Sequence, residues 1–147
     1  MRHKALTFIE LLVVVIIIGI LAGLAVPNLR KSFNSAQREG FSRQLQFTMN
    51  YLRDKSVVEQ KAIFLDFDRR SKSYSAGFQE ENAAFRVYSL PAGISIEVAK
   101  KSNPDNPAVY FYPDGRIDAV DIGVNSGGKK IILTTEGVFG KVKIKKK

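Results

Sequence analysis

The sequence predicts an α+β protein in which a long N-terminal helix, membrane-spanning in its first half and amphipathic in its second, packs on a small antiparallel β-sheet head. Three observations predict it. Leu11 to Leu29 carry no charge, apolar side chains recur three and four apart as far as Leu52, and from Ala62 the period falls to that of strands punctuated by turn residues. The 147-residue chain is otherwise average, 45% apolar and 25% charged, which suits one modest domain and excludes global disorder or a large multidomain enzyme. With no cysteine it has no disulfide, thiolate nucleophile or Cys-based metal site.

The first element is the apolar run. Leu11 to Ile18 are eight consecutive aliphatic residues, and about 20 helical residues cover the roughly 30 Å of a bilayer's hydrocarbon core. A cleaved secretory signal peptide also begins with basic residues, here Arg2 and Lys4, before an apolar core. This run is longer than such a core, no small-x-small cleavage pattern followed by a polar start appears, and the helical register continues beyond it. Glu10 interrupts the apolar block, between Leu6, Phe8 and Ile9 on one side and the aliphatic run on the other. An acidic residue in mid-membrane costs about 2.5–3.5 kcal/mol, less near a helix end, where the dipole favours negative charge. Snorkelling at the headgroups accounts for such a carboxylate; a functional role requires a positive partner.

The second element is the amphipathic half. Leu29, Phe33, Ala36, Phe41, Leu45, Thr48, Met49 and Leu52 form one stripe, while Arg30, Lys31, Arg38, Glu39, Arg43, Arg53 and Asp54 are assigned to the other faces. A single rod from about Thr7 to about Glu59 is roughly 80 Å long at 1.5 Å per residue, with bends expected at Pro27 and Gly40. Lysine and arginine do not orient it, since Arg2 and Lys4 flank one end of the span and Arg30 and Lys31 the other.

The third is the head. Strands are expected at 62–67, 86–90, 94–98, 108–112, 130–134 and 141–144, separated by turn-rich segments at 91–93, 103–107, 113–115, 125–128 and 136–137. The stretch from about Arg69 to Ala84 carries little signal. Antiparallel hairpins in one or two small sheets against the helix stripe follow from this pattern.

Charge is uneven: residues 1–60 sum to +4, residues 61–128 to −1 and residues 129–147 to +6. The C-terminus supplies Lys141, Lys143, Lys145, Lys146 and Lys147, which could attract phosphates without reading sequence. Lysine is a point charge, and no aromatic residue interleaves the tail for base stacking, so a solvated strand end with a frayed cationic tip accounts for it better. Asp114, Asp118 and Asp121 lack EF-hand spacing, and an Asp in a Pro-Asp-Gly turn ordinarily bonds its own backbone. No metal site, cofactor or catalytic residue is expected. Of Tyr110, Phe111 and Tyr112, alternation buries Phe111 and leaves the tyrosines half exposed.

The segment Lys4-Ala5-Leu6-Thr7-Phe8-Ile9-Glu10-Leu11-Leu12, with the run ending Ala25-Val26-Pro27, resembles the class III signal of type IV pilins and type II secretion pseudopilins. In that family a membrane peptidase removes a short basic leader, methylates the new N-terminus and leaves a glutamate fifth in the mature chain. Carried over, the resemblance implies prepilin peptidase cleavage between Ala5 and Leu6, N-methylation of Leu6, and Glu10 as the assembly residue. Ala5 stands where the family usually has Gly and Leu6 where it usually has Phe. Cleavage would remove the only histidine, His3, together with Arg2 and Lys4. It would also place a positive α-amine four residues before Glu10, a counter-charge when identical helices pack.

Leu90-Pro91-Ala92-Gly93-Ile94, Tyr110-Phe111-Tyr112-Pro113-Asp114-Gly115-Arg116, and the ending with Gly140, Lys141 and Lys143 look like the GspH/FimT-type head. The implied organisation is a leader at 1–5, a transmembrane and filament-core helix at 6–29, an amphipathic helix at 30–60 and a β-rich head with a basic tail at 61–147. The implied role is a non-enzymatic minor pseudopilin at or near the tip of a type II secretion pseudopilus, supporting protein export. Its partners would be the peptidase, other pilin-like helices and the membrane. The setting would be a bacterial inner membrane, crossed once, with the head periplasmic. Two alternatives stand: a FimT-like minor pilin that binds DNA for uptake through its C-terminal lysines, and an ordinary single-pass anchored domain with no filament.

Overall fold

The computed structural model describes residues 7–81, 83–100, 108–135 and 142–146, and the side chains of all these except 24–31, 100 and 146. Helix α1 (Phe8–Glu59) runs for 52 residues without interruption through Pro27 and Gly40. Thr7 caps its start; Gln60, left-handed at φ 54°, closes its end with a bond to the Ser56 carbonyl. Among the described residues eight strands follow: β1 (Ile63–Asp68), β2 (Ser73–Phe78), β3 (Ala83–Ser89), β4 (Ser95–Lys100), β5 (Val109–Phe111), β6 (Val120–Ser126), β7 (Lys129–Thr134) and β8 (Lys143–Lys146). They form two four-stranded sheets, ordered β3-β2-β1-β5 and β4-β6-β7-β8, with every pair antiparallel.

Both sheets rest on one face of α1. Phe41, Leu45, Met49 and Leu52 are buried there, in one cluster with Leu65 and Phe111 of the first sheet and Ile122 and Leu133 of the second. The stripe expected from the sequence holds over this part and fails above it. Phe33 is 68% exposed and Ala36 is exposed, because the sheets begin to cover the helix only near Arg38. Leu29 lies outside the described side chains. Arg38, expected on a solvent face, is instead buried at 6% exposure, its Nη1 donating to the Ser126 carbonyl at 2.9 Å.

Six strands fall where the sequence places them, within a residue or a few at their ends, and two were not anticipated. β2 lies in the weakly marked stretch, as Ser-Tyr-Ser-Ala-Gly-Phe, and β6 reads Val-Asp-Ile-Gly-Val-Asn-Ser. Both are interior strands. Small and polar residues depress their apparent strand propensity, and flanking strands supply the burial that propensity scales omit. The expected turn at 125–128 shrinks to Gly127 and Gly128, with φ of 58° and 75°, which suits a two-residue hairpin. The expected turns at 103–107 and 136–137 lie outside the described residues.

Candidate functional site

The first candidate site is the arm of α1 that precedes the head. The large apolar side chains of Phe8, Ile9 and 11–18, with Ile20 and Leu21, are exposed by 44% at Leu12 to 82% at Phe8. Since consecutive helical residues are 100° apart, they leave no polar face on which water could be accommodated. Such a helix requires an apolar environment, from lipid or from other helices. The stretch Phe8–Gly23 covers roughly 24 Å, and among the described residues no helix is long and apolar enough to cross a membrane.

Glu10 stands in the first turn of this arm. Its amide donates to Thr7 Oγ1 at 3.3 Å and to the Thr7 carbonyl at 3.1 Å. Thr7 is thus the N-cap and Glu10 occupies N3, the spacing of a capping box. Periodicity alone places the helix start near Thr7; the sequence signal for its capping role is Thr-x-x-Glu before an apolar run. The geometry holds the carboxylate at the positive end of the helix dipole. Ala5 and Leu6, the expected cleavage pair, lie outside the described residues.

The basic end is the second candidate. Lys143 and Lys145 stand on β8, an edge strand, opposite Thr134 and Ile132 of β7. Val142 and Ile144 turn toward the core while both lysines face outward. Gln46 Nε2 ties the strand's start to α1 by donating to the Val142 carbonyl at 2.6 Å. Lysines on an exposed edge strand discourage pairing with foreign strands, which suffices to explain them. Lys141 and Lys147, and the side chain of Lys146, lie outside the described residues. The positions of Lys143 and Lys145 give no support to DNA binding.

The acidic residues near the Pro-Asp-Gly turn have separate tasks. Gly115, at φ 84°, closes the turn with its amide on the Tyr112 carbonyl at 2.9 Å. Asp114 Oδ1 accepts from the Arg116 amide at 3.0 Å, while Oδ2 pairs with Arg116 Nε at 2.5 Å. The Arg116 amide, followed by the guanidinium, holds the Asp114 carboxyl below its ordinary value. Asp118 accepts from the Tyr110 amide and from the Tyr112 hydroxyl, each at 3.2 Å. Burial, with the Asp118 charge, raises the Tyr112 phenol. Among the described residues no three His, Cys, Asp or Glu side chains are grouped to hold a metal ion. Phe111 is fully buried between half-exposed Tyr110 and Tyr112, as the alternation predicted.

The chain's residues 1–26 match the prokaryotic N-terminal methylation motif. No curated protein matches the chain significantly by sequence. Among solved structures, the fold is similar to the minor pseudopilin EpsH from the type 2 secretion system of Vibrio cholerae, with a TM-score of 0.56 at 8% identity over 74% of this chain and 94% of that one. It is likewise similar to the type IV minor pilin FimU of Pseudomonas aeruginosa, with a TM-score of 0.57 at 16% identity over 80% of this chain and 90% of that one. The N-terminus is therefore of the prepilin type and the fold is type IV pilin-like.

Proposed function

We propose that this chain is a minor subunit of a pilin-like filament, stored in the bacterial inner membrane with its head in the periplasm and acting by packing rather than by catalysis. The observation that carries this reading is an arm apolar on every described face, interrupted by the single carboxylate of Glu10 and beginning in a methylation motif. In this reading prepilin peptidase cuts between Ala5 and Leu6 and methylates Leu6. The charge-free run Leu11–Leu29, roughly 28 Å of helix, holds the subunit in the bilayer until assembly. Among packed helices the Glu10 carboxylate then meets the N-terminal amine of a neighbouring subunit. Removing one member of a buried pair leaves an uncompensated charge at a cost of about 3–5 kcal/mol. Glu10 would therefore set the register of assembly.

At the finer level the filament is a type II secretion pseudopilus and the chain one of its minor pseudopilins, near the tip and supporting export. The GspH-type turn and likeness to EpsH support this. A minor subunit of a type IV pilus is the second reading, favoured by the higher identity to FimU. Cross-linking in the native cell, followed by identification of the attached subunits, separates the two: secretion-system pseudopilins are expected, and pilus subunits would transfer the chain to the second reading. For assembly itself, Glu10→Val should leave membrane insertion intact and lower incorporation into filaments at least tenfold. Unchanged incorporation would remove Glu10 from the mechanism.

A further inference from the structure

The two sheets leave an opening between them. A cleft of about 300 Å³ lies between the β1–β2 turn of the first sheet and β4 of the second. Phe67, Ile94 and Ile96 line it at 6–7% exposure, with Leu90 half-buried beside them. Among the described residues β4 is hydrogen-bonded on one side only, to β6. Ser95, Ile96 and Glu97 all border the cleft. Successive strand side chains point to opposite faces, so a space that meets three in a row runs along the strand's open edge. The cleft thus joins an apolar floor to a row of main-chain donors and acceptors.

Two carboxylates and two cations border the cleft, and the carboxylates have partners of their own. Asp68 Oδ1 accepts from the amides of Arg70 at 2.8 Å and Ser71 at 3.4 Å within its own turn. Glu97 is engaged by Lys130 at 2.7 Å, and Arg69 adds only a smaller attraction to the depression of that carboxyl. Arg69 and Lys72 form no salt bridge among the described residues. Lys72 is held at the mouth in a left-handed conformation, φ 50°, while its carbonyl accepts from the Leu90 amide at 2.9 Å. A non-glycine residue fixed in that region is strained, and strain of this kind gathers at binding sites.

We propose that this cleft receives an extended segment of a partner polypeptide. The segment adds as a strand to the free edge of β4, seats an aliphatic side chain on Phe67, Leu90 and Ile96, and sets an adjacent carboxylate against Arg69 and Lys72. Main-chain pairing supplies affinity, and the apolar seat and the two cations supply selectivity. The proposal is independent of the filament reading, since it uses only the head.

The test presents the detergent-solubilised full chain to an array of synthetic ten-residue peptides in which Glu or Asp adjoins Val, Ile, Leu or Phe. Matched controls carry Lys in place of the acid, or a central Pro that blocks strand addition. At least one acid-bearing peptide should be retained tenfold above both of its controls and should slow hydrogen exchange at the β4 amides. The Arg69→Glu/Lys72→Glu double variant, with an unchanged circular dichroism spectrum, should reverse the preference toward the Lys-bearing peptides. Retention indifferent to the acid, retention unaffected by the double variant, or no acid-bearing peptide retained above its controls would overturn the proposal.

Discussion

Arg38 lies on the buried face of α1 and, among the described residues, bonds only neutral oxygens: the Ser126 carbonyl at 2.9 Å and Ser35 Oγ at 3.2 Å. Its Nε has no partner, nor does the Oγ of Ser42 one helical turn away. A guanidinium in that setting contributes little net stability, yet cutting it back to Ala strands the Ser126 carbonyl and empties the space its stem fills. Arg38→Ala should therefore cost about 1–3 kcal/mol, whereas Arg38→Met, which keeps the packing and removes the charge, should cost less. Urea unfolding of the full chain in detergent checks this, and the opposite order would contradict the packing account. Tyr74 offers a second residue-scale test. Burial, then the neighbouring Tyr88, pushes its phenol from 10.0 up to about 12, against a weaker opposing bond with Thr48. Between those values the folded chain keeps a proton that the unfolded chain has released, so stability must fall as pH rises above 10, by about 1.4 kcal/mol per pH unit from this group. Alkaline titration followed by tyrosinate absorbance should show one tyrosine ionising together with unfolding; ordinary ionisation of every tyrosine before unfolding would contradict its burial.

Two glycines in strands separate backbone constraint from side-chain adjustment at the scale of elements. A Cβ on Gly77, beside the irregularity between β2 and β3, would run into the Ala83 carbonyl and the Phe64 ring. One on Gly123 would meet only the far end of Lys130, which can swing away from Glu97. Gly77→Ala should thus cost about 1–3 kcal/mol and Gly123→Ala less than about 1 kcal/mol, as read by thermal unfolding; equal costs would contradict the assigned contacts. The same strands mark the limit of what sequence reveals. The extent of α1, from about Thr7 to about Glu59, was legible because helical periodicity acts locally. β2 and β6 were not, since their Ser, Gly, Asp and Asn residues become strand-like only between other strands. Glu10 was legible as an isolated acid in an apolar block. The cleft was not, because Phe67 and Ile96 meet only after two sheets have formed.

The whole molecule is divided between a head that completes its own core and an arm that does not. Among the described residues, nineteen buried ones from α1, the strands and their connections form the head cluster, whereas Phe8 to Leu21 meet no core residue. An apolar surface of that extent on a free protein is covered either by lipid or by other subunits, and a storage phase followed by assembly uses both in turn. In the proposed function the exposed Glu10 carboxylate becomes buried when helices pack and then needs a cation, which the proposed cut provides on each copy. The most direct measurement is therefore the mass of the N-terminal peptide of the protein isolated from its native cell. A chain beginning at N-methylated Leu6 is the predicted result. A chain still beginning at Met1 would contradict the account, because the amine that answers Glu10 would never have been made.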